Sequence, residues 1–253
     1  MPNYRLQLEY DGRGFAGWQV QPNVRTVQGE LQRALAILTR QPIRTAAAGR
    51  TDGGVHARGQ VVSFQLDSIL DCRRIAFGIE GIVGDEISVR RLEEAPVGFH
   101  ARHDARWRLY SYRLAERPVA LWRERSWHPP RFPTLPALRM ASAPLLGQHD
   151  FTAFANASQD DSVPVCRLML INWDVWEEGL LLTIQADRFL YRMVRTIVGT
   201  LLREALPGGG GAERVEEILR ARSRRLAGPS APTEGLCLEA VGYDPPWPAS
   251  GAR

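Results

Sequence analysis

Lysine is absent from this chain of 253 residues: all 32 of its basic residues are arginine. That absence removes a Walker-type phosphate-binding lysine, a Schiff-base lysine and a lysine general base together. Arginine is left as the only strong cation, and its guanidinium grips phosphate through paired hydrogen bonds and stacks on bases. A genome rich in G and C accounts for the missing lysine, whereas the net charge of +4 fits a polyanionic partner. Cysteine is scarce as well. Cys72, Cys166 and Cys237 lie far apart, match neither a zinc spacing nor a dithiol motif, and read as reduced core residues. No apolar run approaches the ~20 residues of a membrane-spanning helix. Met1-Pro2-Asn3-Tyr4-Arg5 lacks the basic and apolar regions of a signal peptide, so a cytoplasmic location is expected. Asn156-Ala157-Ser158, formally a glycosylation sequon, then reads as a polar loop.

What is present is ordinary globular material, 44% apolar and 24% charged, long enough for one large domain or two modest lobes. Tyr4, Leu6, Leu8 and Tyr10 alternate with polar residues and predict a half-buried strand. Helical spacing with Thr26 as N-cap predicts a helix over Val27 to Leu38. Strands are predicted at Ile43 to Ala48, Gln60 to Leu66 and Ile87 to Leu92, and a helix at Cys72 to Gly81. In the second half, Trp107 to Leu114 alternates, Leu135 to Leu146 is helical, and Arg167 to Trp176 with Leu180 to Ala186 forms a hairpin. A helix follows over Phe189 to Ala205, with Phe189, Met193, Ile197 and Leu201 in one stripe. Pro207 and the glycine run from Gly208 to Gly211 end it in a flexible connection, before a helix at Glu213 to Arg225 and a strand at Leu236 to Tyr243.

Without regular βαβ alternation the expected class is α+β. Two lobes are expected, 1–105 and 106–253, each a mostly antiparallel sheet covered by helices, with a cleft between them for the active site.

The segment Gly49-Arg50-Thr51-Asp52-Gly53-Gly54-Val55-His56 sets one acid between glycines, flanked by predicted strands. Glycines there permit positive φ and close approach of backbone to ligand, with Arg50 and Asp52 two residues apart. On local grounds alone it reads as an Asp-Gly hairpin turn. His100 and His103 form a His-x-x-His pair without a third ligand in a zinc pattern, so no metal is expected. Arg50 and Arg58 bracket the Asp52 loop, while Arg102 and Arg106 lie near the lobe boundary; together they could follow an RNA backbone.

Wider motifs carry a resemblance. Glu9-Tyr10-Asp11-Gly12-x-x-Phe15-x-Gly17-Trp18-Gln19-x-Gln21, Thr26-Val27-Gln28, and the Asp52 block continued by Ala57 recur in order with further blocks downstream. These are Phe99-His100-Ala101-Arg102, the strand with Tyr110 and Tyr112, His149-Asp150-Phe151-Thr152-x-Phe154, Phe189-Leu190-x-x-Met193-Val194-Arg195-x-Ile197-Val198-Gly199, and Glu234-Gly235-Leu236-x-Leu238. Together they resemble the TruA-type tRNA pseudouridine synthase family over nearly the whole chain.

The resemblance implies a pseudouridine synthase fold, a homodimer and a tRNA partner. It implies isomerisation of uridine to pseudouridine in the anticodon stem-loop, without cofactor or metal, with Asp52 as nucleophile. Whether the carboxylate adds to C6 of the base or to ribose C1′ stays open. Tyr110 matches the family's base-stacking, proton-handling tyrosine, although on its own it reads as a sheet-core aromatic. Arg195 matches the arginine that would keep Asp52 ionised and oriented. Gly53 stands where the family usually has alanine, and Glu80-Gly81-Ile82-Val83-Gly84 where it usually has asparagine before Leu-Pro. Two other readings remain, a catalytically silent tRNA-binding protein of the same fold and a hydrolase using Asp52 and Asp11.

Overall fold

The computed structural model describes residues 1–67, 69, 71–157 and 163–244; Ser158 of the sequon lies outside them. The chain divides into two compact units, Met1–Arg106 with Cys237–Arg253, and Trp107–Leu236.

In the first unit, β1 (Asn3–Tyr10) buries Tyr4, Leu6, Leu8 and Tyr10 as its alternation predicts. It pairs antiparallel with β3 (His56–Gln65) on one side and β4 (Ile87–Ala95) on the other. A short β2 (Thr45–Ala47) adds antiparallel to β3. Two helices complete the unit: α1 (Val27–Thr39) packs against α2 (Cys72–Val83), and α2 against β4. The Thr26 hydroxyl accepts the Gly29 N–H at 3.2 Å, and Asp71 accepts those of Arg73 and Arg74 at 3.1 Å. Such N-caps contribute about 1 kcal/mol each.

The division at residue 105 assigned everything downstream to the second lobe, and the structure differs there. The last strand, β9 (Leu236–Gly242), pairs parallel with the start of β3 through His56↔Cys237 and Ala57↔Leu238. Arg106 N–H donates to Gly242 O at 2.8 Å, and the Tyr243 hydroxyl to Ala101 O at 2.8 Å. An apolar run shows that a segment is a strand, but not which distant strand it joins.

The second unit is an antiparallel sheet in the order β5 (Trp107–Ala115), β8 (Gly179–Ala186), β7 (Val165–Trp176), β6 (Gly147–Asp150). In β7 the buried residues change phase, from Cys166 and Leu168 to Trp173, across a register shift between Leu168 and Leu170. One inserted residue turns each later side chain to the opposite face. Helix α3 (Leu135–Ser142) tightens into a 3-10 turn at Ala143–Leu145 and is pinned to β7. The fully buried Trp173 indole donates to Ser142 Oγ at 3.0 Å, and Ser142 Oγ donates to Leu138 O at 2.7 Å. Helices α4 (Met193–Glu204) and α5 (Gly211–Ala221) pack together. α4 begins four residues later than its stripe predicts, because Arg192 sits in the left-handed region at φ 61°. The glycine run is tied to the end of α4, with Gly210 N–H donating to Glu204 Oε2 at 3.0 Å.

The architecture is thus the expected α+β one. No helix among the described residues is long and apolar enough to cross a membrane. Cys166 and Cys237 are buried as expected, while Cys72, opening α2, is only partly buried.

Candidate active site

Asp52 is partly buried in the turn between β2 and β3, and the Gly12–Trp18 segment holds this turn from outside. Gly17 and Asp52 form an isolated antiparallel bridge, Trp18 N–H donates to Thr51 O at 3.0 Å, and Val55 N–H donates to Asp52 O at 3.1 Å. Both flanking glycines are dictated by closeness. A Cβ on Gly12 would lie 2.1 Å from Val55 O; one on Gly17, at φ +108°, would lie 2.9 Å from Thr51 O and 3.2 Å from the Asp52 carbonyl carbon. The Asp11-Gly12 and Gly17-Trp18 pairs are therefore the outer wall of the Asp52 turn.

A second layer lies beneath. The Tyr10 hydroxyl is 2.8 Å from Thr51 Oγ1, and Gln60 Nε2 donates to Gly49 O at 2.7 Å and to the Tyr10 hydroxyl at 3.4 Å. Tyr10 is 2% exposed and Gln60 not at all. Burial, only partly opposed by hydrogen bonds with Thr51 and Gln60, pushes the Tyr10 phenol far above its ordinary range, so it stays neutral. Beside them, His56 Nδ1 accepts the Gly12 N–H and lies 3.3 Å from Asp11 Oδ1. Burial pushes the Asp11 carboxyl up, but the Arg13 hydrogen bonds with the His56 and Arg13 charges outweigh it and hold it at about 2.

The predicted arginines Arg50, Arg58 and Arg102 are exposed on the first unit. Arg58 is 3.5 Å from Glu239. Among the described residues no group of three metal-ligating side chains is assembled. His100 Nδ1 instead accepts the N–H groups of Arg102 and His103, and burial, then the neighbouring His103, lowers its pKa.

On the second unit, Tyr110 lies opposite Ile184 on β8, is 7% exposed, and stands edge-on to Phe189 with ring centroids 5.2 Å apart. Arg195 is partly buried on the first turn of α4. Its Nε donates to Ala231 O at 2.7 Å, while Ala231 N–H donates back to Arg195 O at 3.0 Å. One residue on, Pro232 O accepts the Tyr112 hydroxyl at 2.9 Å. Burial, with Glu234 nearby, drives the Tyr112 phenol well above its ordinary range despite the opposing Arg195 charge. The Ala231–Pro232 segment thus fixes the guanidinium's direction. Nothing in the sequence signalled that clasp or the Tyr10, Thr51 and Gln60 contacts, apart from a glutamine at the head of the strand read over Gln60 to Leu66.

The comparisons with known proteins agree with one another. A family model described as tRNA pseudouridine synthase matches residues 141–244. The tRNA pseudouridine synthase A of Caulobacter vibrioides is 39% identical over 246 residues, covering 96% of this chain and 99% of its own. That of Acetivibrio thermocellus is 35% identical, with 96% and 100% covered, and that of Halalkalibacterium halodurans 41% identical, with 93% and 90% covered.

Proposed function

Because the chain belongs to the tRNA pseudouridine synthase A family, we propose that it isomerises uridine to pseudouridine in the anticodon stem-loop of tRNA, with Asp52 as nucleophile. The reaction breaks the bond from N1 to ribose C1′, turns the base and joins C5 to C1′. The hydrogen displaced from C5 is matched by one gained at N1. Nothing is oxidised and no group is lost, so no cofactor is required. A carboxylate can hold one fragment covalently while the base turns, by addition at C6 or at C1′. Tyr110 serves as the apolar face for the flipped uracil and as the phenol that handles the C5 proton. Arg195 keeps the nucleophile ionised and directed. Arg50, Arg58 and Arg102 contact phosphates. The reading extends to a homodimer acting on tRNA in the cytoplasm.

The observation that carries this reading is the Asp52 turn: a partly buried acid, on a backbone fixed from two sides, within the family motif. Such rigidity suits a nucleophile that must meet one atom of its substrate. The test is pseudouridine formation on an unmodified tRNA transcript by pure protein. Wild type is expected to turn over, and Asp52→Asn to lose turnover while keeping tRNA affinity within about tenfold, since the amide keeps shape without nucleophilicity. A wild type that binds tRNA without chemistry would point to the silent binding protein, and an active Asp52→Asn would remove the nucleophile assignment.

A further inference from the structure

We infer that Tyr10 and Gln60 are positioning residues: a buried relay from Gln60 through Tyr10 to Thr51, with a second arm to Gly49, sets the backbone that presents Asp52. The inference rests on Asp52 carrying the chemistry and names what aims it.

The directions of the two Gln60 hydrogen bonds follow from elimination. The Gly49 carbonyl can only accept, so the Gln60 atom at 2.7 Å from it is the amide nitrogen. The same nitrogen donates its other hydrogen to the Tyr10 oxygen. The Tyr10 and Thr51 hydroxyls, 2.8 Å apart, share the next hydrogen bond, for which either oxygen can be the donor. The relay grips the turn at Gly49 and Thr51, two positions that bracket Arg50, the second of them immediately preceding Asp52. The Thr51 carbonyl is held in turn by Trp18.

Two features separate this relay from ordinary core packing. Gln60 is the one residue whose buried side-chain oxygen, Oε1, has no hydrogen-bond partner among the described residues. Its amide is thus oriented by what the nitrogen gives to the turn, and an apolar side chain of equal length would fill the same place, removing the stranded oxygen together with the donor to Gly49 O. Tyr10 also keeps its proton throughout the working pH range, its phenol raised by burial, so the relay holds geometry and does not titrate with the reaction.

The experiment uses the full-length protein with three measurements: thermal midpoint, tRNA Kd, and single-turnover rate of pseudouridine formation against pH. Gln60→Met and Tyr10→Phe keep the apolar volume and remove the donors. Each is expected to lower the rate about tenfold or more, the size of effect that a small misplacement of a reacting group produces. The tRNA Kd should stay within about threefold, and the pH profile should keep its shape. The Gln60→Met midpoint should stay within about 3 °C of wild type, because the stranded Oε1 leaves with the donors. Thr51→Ser, which keeps the hydroxyl, should restore most of the rate lost in Thr51→Val. The Tyr10→Phe/Gln60→Met double variant should be scarcely worse than either single one, since both act on one turn.

Wild-type rates in Gln60→Met and Tyr10→Phe, alongside an inactive Asp52→Asn, would overturn the relay and leave the nucleophile standing. Rate losses that merely follow a fall in thermal midpoint would overturn it too, by reducing both residues to core packing. An active Asp52→Asn would overturn the nucleophile, and the relay with it.

Discussion

Gly17→Ala tests whether the Asp52 turn depends on the segment pressed against it. The new Cβ would lie 2.9 Å from Thr51 O, 3.1 Å from Gly53 N and 3.2 Å from the Asp52 carbonyl carbon. All three are backbone atoms of the turn, so no flexible side chain can swing aside; the turn moves by a few tenths of an ångström, or Gly17 does. Gly17 also sits at φ +108°, outside the wells that alanine occupies, which costs about 1–3 kcal/mol where the surroundings enforce it. At about 2–4 °C per kcal/mol for a chain of this size, the thermal midpoint should fall by about 2–12 °C. Catalysis should suffer more than stability. A displacement of the order of 1 Å can cost about a hundredfold in rate, so a smaller shift at Asp52 should cost about tenfold. Circular dichroism melting and single-turnover pseudouridine formation at about 25 °C, where the variant is folded, read the two effects separately. A wild-type midpoint with a wild-type rate would refute the reasoning, because it would mean that the turn and its outer wall can part without consequence.

Arg195→Ala should lower the single-turnover rate about 10–100-fold with little change in tRNA affinity, the worth of a charge-assisted hydrogen bond of about 1.5–3 kcal/mol. Arg195→Lys should recover only part of it, since an ammonium lacks the Nε that holds Ala231 O; a wild-type rate in Arg195→Ala would withdraw its catalytic role. Asp11, lowered from 3.8 to about 2 in the folded chain, contributes stability that is complete above pH ~4 and lost as pH falls through ~2. Discounted for partial solvent exposure, that is about 1 kcal/mol. The stability gap between wild type and Asp11→Asn, measured by urea unfolding, should therefore narrow as the pH falls from about 4 to about 2, and a gap independent of pH would show that Asp11 stabilises through shape alone.

What could be read from the sequence is what repeats locally. The β1 alternation, the Thr26 cap and the hairpin of β7 and β8 were legible, because period and capping are properties of a few neighbouring residues. The start of α4 was not: the stripe through Phe189 continues smoothly, and only the left-handed backbone at Arg192 ends the helix there. The return of β9 to β3 was hidden for a different reason, that pairing is chosen between segments some 180 positions apart. The Asp52 turn stands between these cases. Its composition is that of an Asp-Gly turn, and motifs far from it, not its own residues, marked it as a site. The structure supplies the physical link: the Gly12 and Gly17 positions of the first motif touch the Val55 and Thr51 positions of the second, so the two blocks constrain one another as a pair. The same logic reaches Gln60. A glutamine without solvent exposure in β3, between Gly59 and Val61, breaks the rule that fills such positions with apolar side chains, and breaks it fifty positions from the tyrosine that it touches. Sequences depart from local rules mostly where function compensates for the loss. A glutamine with no solvent exposure, in the strand that follows an acid-bearing turn, is therefore a signal in its own right, and here it leads to the backbone on which Asp52 stands.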